Sequence, residues 1–100
     1  MSDPMKYAYY MSKSNARLRK PVHFPKGIPF SLSFTEYKEL WESEPVKWEQ
    51  KKKSIQRISK KKRVCEWEID RIDPYKGYET GNVRILEKRI NIYYWYNPQE

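Results

Sequence analysis

Glu68-Ile69-Asp70-Arg71-Ile72-Asp73, then Gly77-Tyr78, then Gly81-Asn82-Val83-Arg84-Ile85-Leu86, and finally Asn91, is the most informative pattern in this chain. It sets acids on a short apolar run, follows them with a tight loop, and opens a second short apolar run with Asn82. Beyond that run the pattern turns helical, with Asn91 inside it. This order can bring a carboxylate and a carboxamide around one hard divalent cation, because such a cation prefers oxygen donors and needs few of them from protein.

The chain around this stretch is strongly basic. It has 100 residues and a formal net charge of +8. A length of this order predicts one domain, residues 1–100, with a small core. Four Trp, nine Tyr and three Phe supply large buried areas per residue, which suits a small core. The positive excess favours a polyanionic partner and fast encounter with it. One cysteine, Cys65, excludes an internal disulfide framework and a cysteine-rich zinc site. In Val64-Cys65-Glu66-Trp67 it reads most simply as a small buried apolar residue, with a reactive thiol as the alternative. No apolar run approaches the roughly 20 residues needed to span a bilayer, and the N-terminus lacks a secretory pattern. A cytoplasmic protein without a membrane partner is expected.

Outward from this stretch, the chain divides into residues 1–63, basic and mostly helical, and residues 64–97, which read strand, loop, strand, helix. Asp3 before Pro4 is an N-cap followed by a proline suited to the first helical turn, and predicts a helix over 4–19. Tyr7, Tyr10, Met11 and Leu18 form its apolar stripe. Pro21, Pro25 and Pro29 with Gly27 predict an extended surface loop. Ser33 or Thr35 caps a second helix from Phe34 to about Ser43, with Phe34, Tyr37, Leu40 and Trp41 on one face; Pro45 ends it. Trp48, Ile55 and Ile58 mark a weaker third helix. Val64 to Ile69 predicts a strand, 74–81 an omega-like loop, Val83 to Leu86 a second strand, and Glu87 to Tyr96 a terminal helix stopped by Asn97-Pro98. The fold class is α+β.

Residues 67–91, with the elements Ile69-Asp70-Arg71-Ile72-Asp73, Lys76-Gly77-Tyr78, Gly81-Asn82-Val83-Arg84 and Asn91, resemble the ββα-metal core of phage-type HNH endonucleases. The resemblance covers about a quarter of the chain closely. Upstream it is looser: a Tyr- and Arg-rich first helix, Gly27-Ile28 in a turn, and an aromatic helix from Phe34 to Trp41. Loop length, glycine positions and both asparagines agree together.

The resemblance implies a C-terminal ββα-metal element in a phage-encoded protein of the host cytoplasm. It implies that Asp70 ligates Mg²⁺ or Mn²⁺, that Asn91 is the second protein ligand, and that Asn82 pins the loop by side-chain hydrogen bonds. The cation then stabilises charge on a scissile phosphate. The sequence departs from the family at one position. A histidine usually follows the metal-binding Asp as general base; here the residue is Arg71. A guanidinium stays protonated and cannot abstract a proton, although it can hold a phosphate bidentately. Three readings follow: Asp73 or a cation-activated water replaces the base, the nuclease is weak, or the protein binds DNA or another partner without cutting.

The remaining candidates have bland and functional readings. His23, the sole histidine, is an ordinary loop residue or a displaced base. Asp73-Pro74 starts a turn or serves the site. Residues 51–63 carry eight basic residues and no acid. Lys51, Lys52, Lys53, Arg57, Lys60, Lys61, Lys62 and Arg63 are therefore either a solvated face or, with Arg71, Arg84 and Arg89, a surface for the DNA backbone. Ile92-Tyr93-Tyr94-Trp95-Tyr96 either stacks on bases or packs with the terminal helix on the core, the reading expected for Ile92 and Trp95, with at least one tyrosine facing solvent. The leading function is a metal-dependent HNH-type endonuclease acting on duplex DNA. The alternative is a catalytically silent relative that binds DNA or inhibits a host or CRISPR-type nuclease.

Overall fold

The computed structural model describes residues 3–56 and 67–87. Within them the chain forms α1 (Pro4–Leu18), α2 (Phe34–Glu42), α3 (Pro45–Gln56), β1 (Trp67–Arg71) and β2 (Val83–Glu87). The class is α+β: three helices and a two-stranded antiparallel sheet. No helix among the described residues is long and apolar enough to cross a membrane.

Local chemistry fixes the helix starts. Asp3 sits in extended backbone, and its carboxylate accepts the Met5 and Lys6 N–H groups at 3.0 and 3.3 Å. These are donors that no helical carbonyl can reach. Ser33, rather than Thr35, caps α2 in a reciprocal capping box. Its Oγ accepts the Glu36 N–H at 3.1 Å, while Glu36 accepts the Ser33 N–H at 2.8 Å. That backbone donor holds the Glu36 carboxyl below the usual glutamate range. Helix α2 ends at Glu42, and the Ser43 hydroxyl donates to the Leu40 carbonyl at 2.6 Å. Pro45 therefore opens the next helix instead of closing this one, which suits its fixed φ and missing N–H.

The core is one aromatic-rich cluster shared by all five elements and the 19–33 loop. Tyr37 and Trp41 are completely buried. Tyr9 is the hub, with edge-on ring contacts to Phe30, Phe34 and Tyr37 at 5.3–5.7 Å. The expected face of α2 is the inward one: Tyr37 and Trp41 are buried, and Phe34 and Leu40 pack against them.

Helix α1 faces inward differently from the expected stripe. Met5, Ala8, Tyr9 and Ala16 are buried, whereas Tyr7, Tyr10, Met11 and Leu18 are 42–66% exposed. The physical reason is close backbone approach. The Ile28 N–H donates to the Ala16 carbonyl at 3.0 Å, and two alanines on that face leave room for the loop and for α2. Large apolar residues do not mark a buried face when small ones let neighbours come nearer.

The sheet is also shifted against the expected boundaries. Pairing runs Trp67↔Glu87, Glu68↔Leu86, Ile69↔Ile85, Asp70↔Arg84 and Arg71↔Val83. Thus β1 continues through Asp70 and Arg71 instead of stopping at Ile69. Glu87 is a strand residue rather than the start of a helix. The pairing persists because the Ile72 N–H donates to the Asn82 carbonyl at 2.8 Å just past the strands. Ile69 and Ile85 are buried opposite each other and anchor the hairpin to the helices. Val64, Cys65, Ile58 and the expected terminal helix from residue 88 onward lie outside the described residues.

Candidate functional site: the β1–β2 hairpin and its loop

The hairpin loop, residues 72–82, is closed by polar side chains. Asn82 is its centre. It is buried, at 6% exposure, where an unpaired amide would be costly. All its polar groups are used. Oδ1 accepts the Asp73 N–H at 2.8 Å, and Nδ2 donates to the carbonyls of Gly77 at 2.8 Å and Asp73 at 3.2 Å. The Asn82 N–H donates to the Glu79 carbonyl at 2.9 Å. One side chain thus ties the start of the loop to its middle.

Asp73 and Arg71 complete the frame. The Asp73 carboxylate accepts the Tyr75 N–H at 2.9 Å, an Asx turn. Arg71 Nη1 donates to the Pro74 carbonyl at 2.7 Å and the Lys76 carbonyl at 3.1 Å. Its guanidinium carbon lies 5.8 Å from the Phe24 ring centre and 5.6 Å from that of Tyr78, a cation–π setting. Arg71 therefore turns back into its own loop.

The loop as a whole sits on the proline-rich segment. The Tyr78 N–H donates to the Pro29 carbonyl, and the Ser31 N–H to the Tyr78 carbonyl, both at 2.9 Å. Arg19 Nη1 donates to the Tyr78 hydroxyl at 2.9 Å. Gly77 is required by this contact, since a Cβ there would lie 2.5 Å from the Pro29 oxygen. His23 stacks on Tyr75 with ring centres 4.1 Å apart. It is exposed and lies against the loop.

Asp70 stands apart from these contacts. It is adjacent to Arg71 in an extended strand, so the two side chains leave opposite faces of the sheet. Arg84, directly across the ladder, donates Nε to Asp70 Oδ2 at 3.1 Å; the Asp70 side chain is 19% exposed and that of Arg84 46%. Of the three residues expected to share the chemistry, the fold separates Asp70 from Arg71 and uses Asp73 to cap a turn. A pair this exposed stabilises by about 0–1 kcal/mol, so a divalent cation or phosphate can separate it. Asp70 offers one carboxylate ligand of the type a hard cation takes, and among the described residues no group of three or more His, Cys, Asp or Glu side chains gathers into a metal site. Asn91, implied as the second ligand, lies outside the described residues.

The basic residues expected to meet DNA divide in the same way. Lys51 Nζ lies 5.8 Å from the Trp41 ring centre. Lys52 pairs with Glu49 at 3.0 Å, an acid just outside the basic run. Lys53 is exposed in the last turn of α3. Arg57, Lys60, Lys61, Lys62, Arg63 and Arg89 lie outside the described residues.

Two contributors have no precedent in the sequence reading: the anchoring of Tyr78 by Arg19, and the loop-binding role of Arg71. Neither has a local signal, because each depends on where the proline-rich segment lands. Comparison of the chain with family models, curated proteins and solved structures gives no match in any of the three.

Proposed function

We propose that this chain is a metal-dependent DNA endonuclease of the HNH type, acting weakly on duplex DNA. The observation that carries the proposal is the Asn82 bracket. A buried carboxamide with three side-chain hydrogen bonds across a hairpin loop is the kind of support that holds a neighbouring strand residue in fixed register. Asp70 lies in β1 one residue before the end that runs into this loop.

In this reading Asp70 and Asn91 hold the cation, Mg²⁺ or Mn²⁺. When bound, the cation supplies charge stabilisation at the scissile phosphate and leaving oxygen. Arg84, released from Asp70, turns its guanidinium to a phosphate oxygen, where a charge-assisted contact is stronger than its exposed ion pair. Lys53 and the basic residues of 57–63 supply further backbone contacts. Arg71 contributes no proton transfer: its guanidinium cannot accept a proton, and its Nη1 donors are committed to the loop carbonyls. The absence of a positioned base at this place forfeits about 10²–10⁴-fold in rate, which is why the activity is proposed as weak.

The commitment of Arg71 to the loop also favours a second reading. A protein that keeps the hairpin but lacks a base serves as a binder of DNA or of a host or CRISPR-type nuclease. Incubation of supercoiled plasmid with the purified protein separates the two. Slow relaxation that requires Mg²⁺ or Mn²⁺ and stops with a chelator supports the nuclease. Intact plasmid at high protein and cation concentration, under conditions where the protein is folded, refutes it and leaves the binder.

A further inference from the structure

We propose that the cleft between α1 and the 26–30 segment binds single-stranded nucleic acid, with one base stacked on Tyr10 and the backbone held by Lys13, Arg17 and Lys26. The proposal does not rest on the nuclease reading. Tyr10, Lys13, Ser14 and Arg17 fall at i, i+3, i+4 and i+7, which is one stripe of α1. They form one wall of an open cleft of about 480 Å³. Lys26 and Phe30 stand on the other wall.

The charge arrangement sets this cleft apart. No acid lines it. Elsewhere Lys38, Lys47 and Lys52 each pair with a glutamate one turn away, at 3.0–3.8 Å. Among the described residues Lys13, Arg17 and Lys26 form no ion pair. Arg17 makes only a long contact to the Ser14 hydroxyl, 3.5 Å, and Lys13 lies 5.8 Å from the Tyr9 ring centre. Like charges one helical turn apart repel, and a bound phosphate relieves that repulsion.

The cleft is also built rather than incidental. Gly27 has φ +113°, and a Cβ there would lie 2.6 Å from the Arg17 carbonyl oxygen. With the Ile28-to-Ala16 hydrogen bond, this contact seats the loop on the last turn of α1 and keeps Lys26 opposite Arg17. Tyr10 is 62% exposed, yet its ring is steadied edge-on against Tyr9 at 5.3 Å. An exposed, fixed ring beside three unneutralised cations suits a base and its flanking phosphates. A duplex hides its base faces in the stack, so the complement of this cleft is a single strand.

The test is fluorescence anisotropy of the full chain with a labelled thymidine oligonucleotide, in chelator, across a salt series. Tyr10→Ala is expected to weaken binding about 5- to 100-fold, the worth of one base stack, and Tyr10→Phe to retain it. The Lys13→Ala/Arg17→Ala/Lys26→Ala variant is expected to flatten the slope of log K against log salt by about 2, as three single-strand phosphate contacts require. A matched Lys38→Ala/Lys47→Ala/Lys52→Ala variant should flatten it less. The chelator keeps this result separate from cation-dependent cleavage. Tyr10→Ala binding as well as wild type, Tyr10→Phe failing as badly as Tyr10→Ala, or the two triple variants behaving alike would each overturn the proposal. So would displacement by a matched duplex as effective as that by single strand.

Discussion

The two halves of this fold are held by different physics. The α1–α2 layer is fixed by rings: Tyr9, Phe34, Tyr37 and Trp41 interlock around a hub with few directional bonds. The hairpin loop buries only Gly77, Tyr78 and Asn82, and is fixed by Asn82, Asp73 and Arg71, each bonding particular backbone atoms. Burial scales with area and tolerates a neighbour of similar shape. A polar bracket depends on which atom donates, and the loss of one partner strands another. The aromatic half therefore supplies stability, and the hairpin supplies a defined geometry at modest stabilising effect.

The largest effect expected from this contrast is in the aromatic half. Trp41→Ala removes the larger of the two fully buried side chains and should cost about 3–5 kcal/mol. That is a large share of the roughly 5–15 kcal/mol available to a domain. Urea denaturation followed by tryptophan fluorescence and circular dichroism measures it. Trp41→Phe should recover much of the loss, as a volume argument requires.

The hairpin should respond to chemistry instead of size. Asn82→Ala leaves the Asp73 N–H and two carbonyls without their partner, at about 2–4 kcal/mol, from roughly 1–3 for each buried group left unpaired. Asn82→Asp has the same shape and still accepts from Asp73, but turns a carboxylate on the Asp73 and Gly77 carbonyls. It should cost at least as much as the alanine. If Asn82→Asp is tolerated better than Asn82→Ala, shape rather than donor identity holds the loop.

Arg71→Lys is a smaller perturbation of the same kind. It keeps the charge but not the planar reach to two carbonyls and two rings. A loss of about 1–2 kcal/mol is expected, from one or two hydrogen bonds, with faster hydrogen exchange confined to 72–82. For the same reason Arg71→His carries two opposed effects. It places an imidazole at the position where the HNH nucleases that the sequence resembles carry a base, and it releases the loop frame. Any gain in cleavage should appear only where exchange shows that the loop stays closed.

The aromatic half has one pH signature. Burial pushes the Tyr37 phenol above its ordinary value, with the Ser12 hydrogen bond opposing. The folded state thus retains this proton more tightly than the unfolded chain. The contribution is fully present below the unfolded pKa, near 10, and is lost as pH rises through the higher folded value. Stability should fall in the alkaline range, and Tyr37→Phe should reduce that slope. An unchanged slope in Tyr37→Phe would assign the alkaline loss to other groups.

Legibility in the sequence followed the same division. Asp3 and Ser33 were readable as caps because capping uses residues two or three positions away. The inner face of α2 was readable because its buried residues are also its largest. The face of α1 was misjudged because Ala8 and Ala16 mark it by smallness, which only the approach of Ile28 makes meaningful. In the hairpin the strands and loop were visible from alternation and glycines. The end of β1 was not, because the ladder is prolonged by Asn82 from across the loop. Arg71 was legible as a departure from a resemblance, but its occupation was not. That depends on Phe24 and Tyr78 meeting it from distant parts of the chain. The cationic cleft was latent in the spacing of Tyr10, Lys13, Ser14 and Arg17, but Lys26 joins it only through the fold.

The proposed role of Asp70 in holding a cation is tested most directly by plasmid relaxation with Asp70→Ala, read beside a melting curve of the same sample. Among the described residues the carboxylate pairs with a half-exposed Arg84, so its removal should change stability by less than about 1 kcal/mol. The account predicts a protein that melts like wild type and no longer relaxes plasmid in Mg²⁺ or Mn²⁺. Relaxation by Asp70→Ala at the wild-type rate, with the same cation dependence, would contradict it.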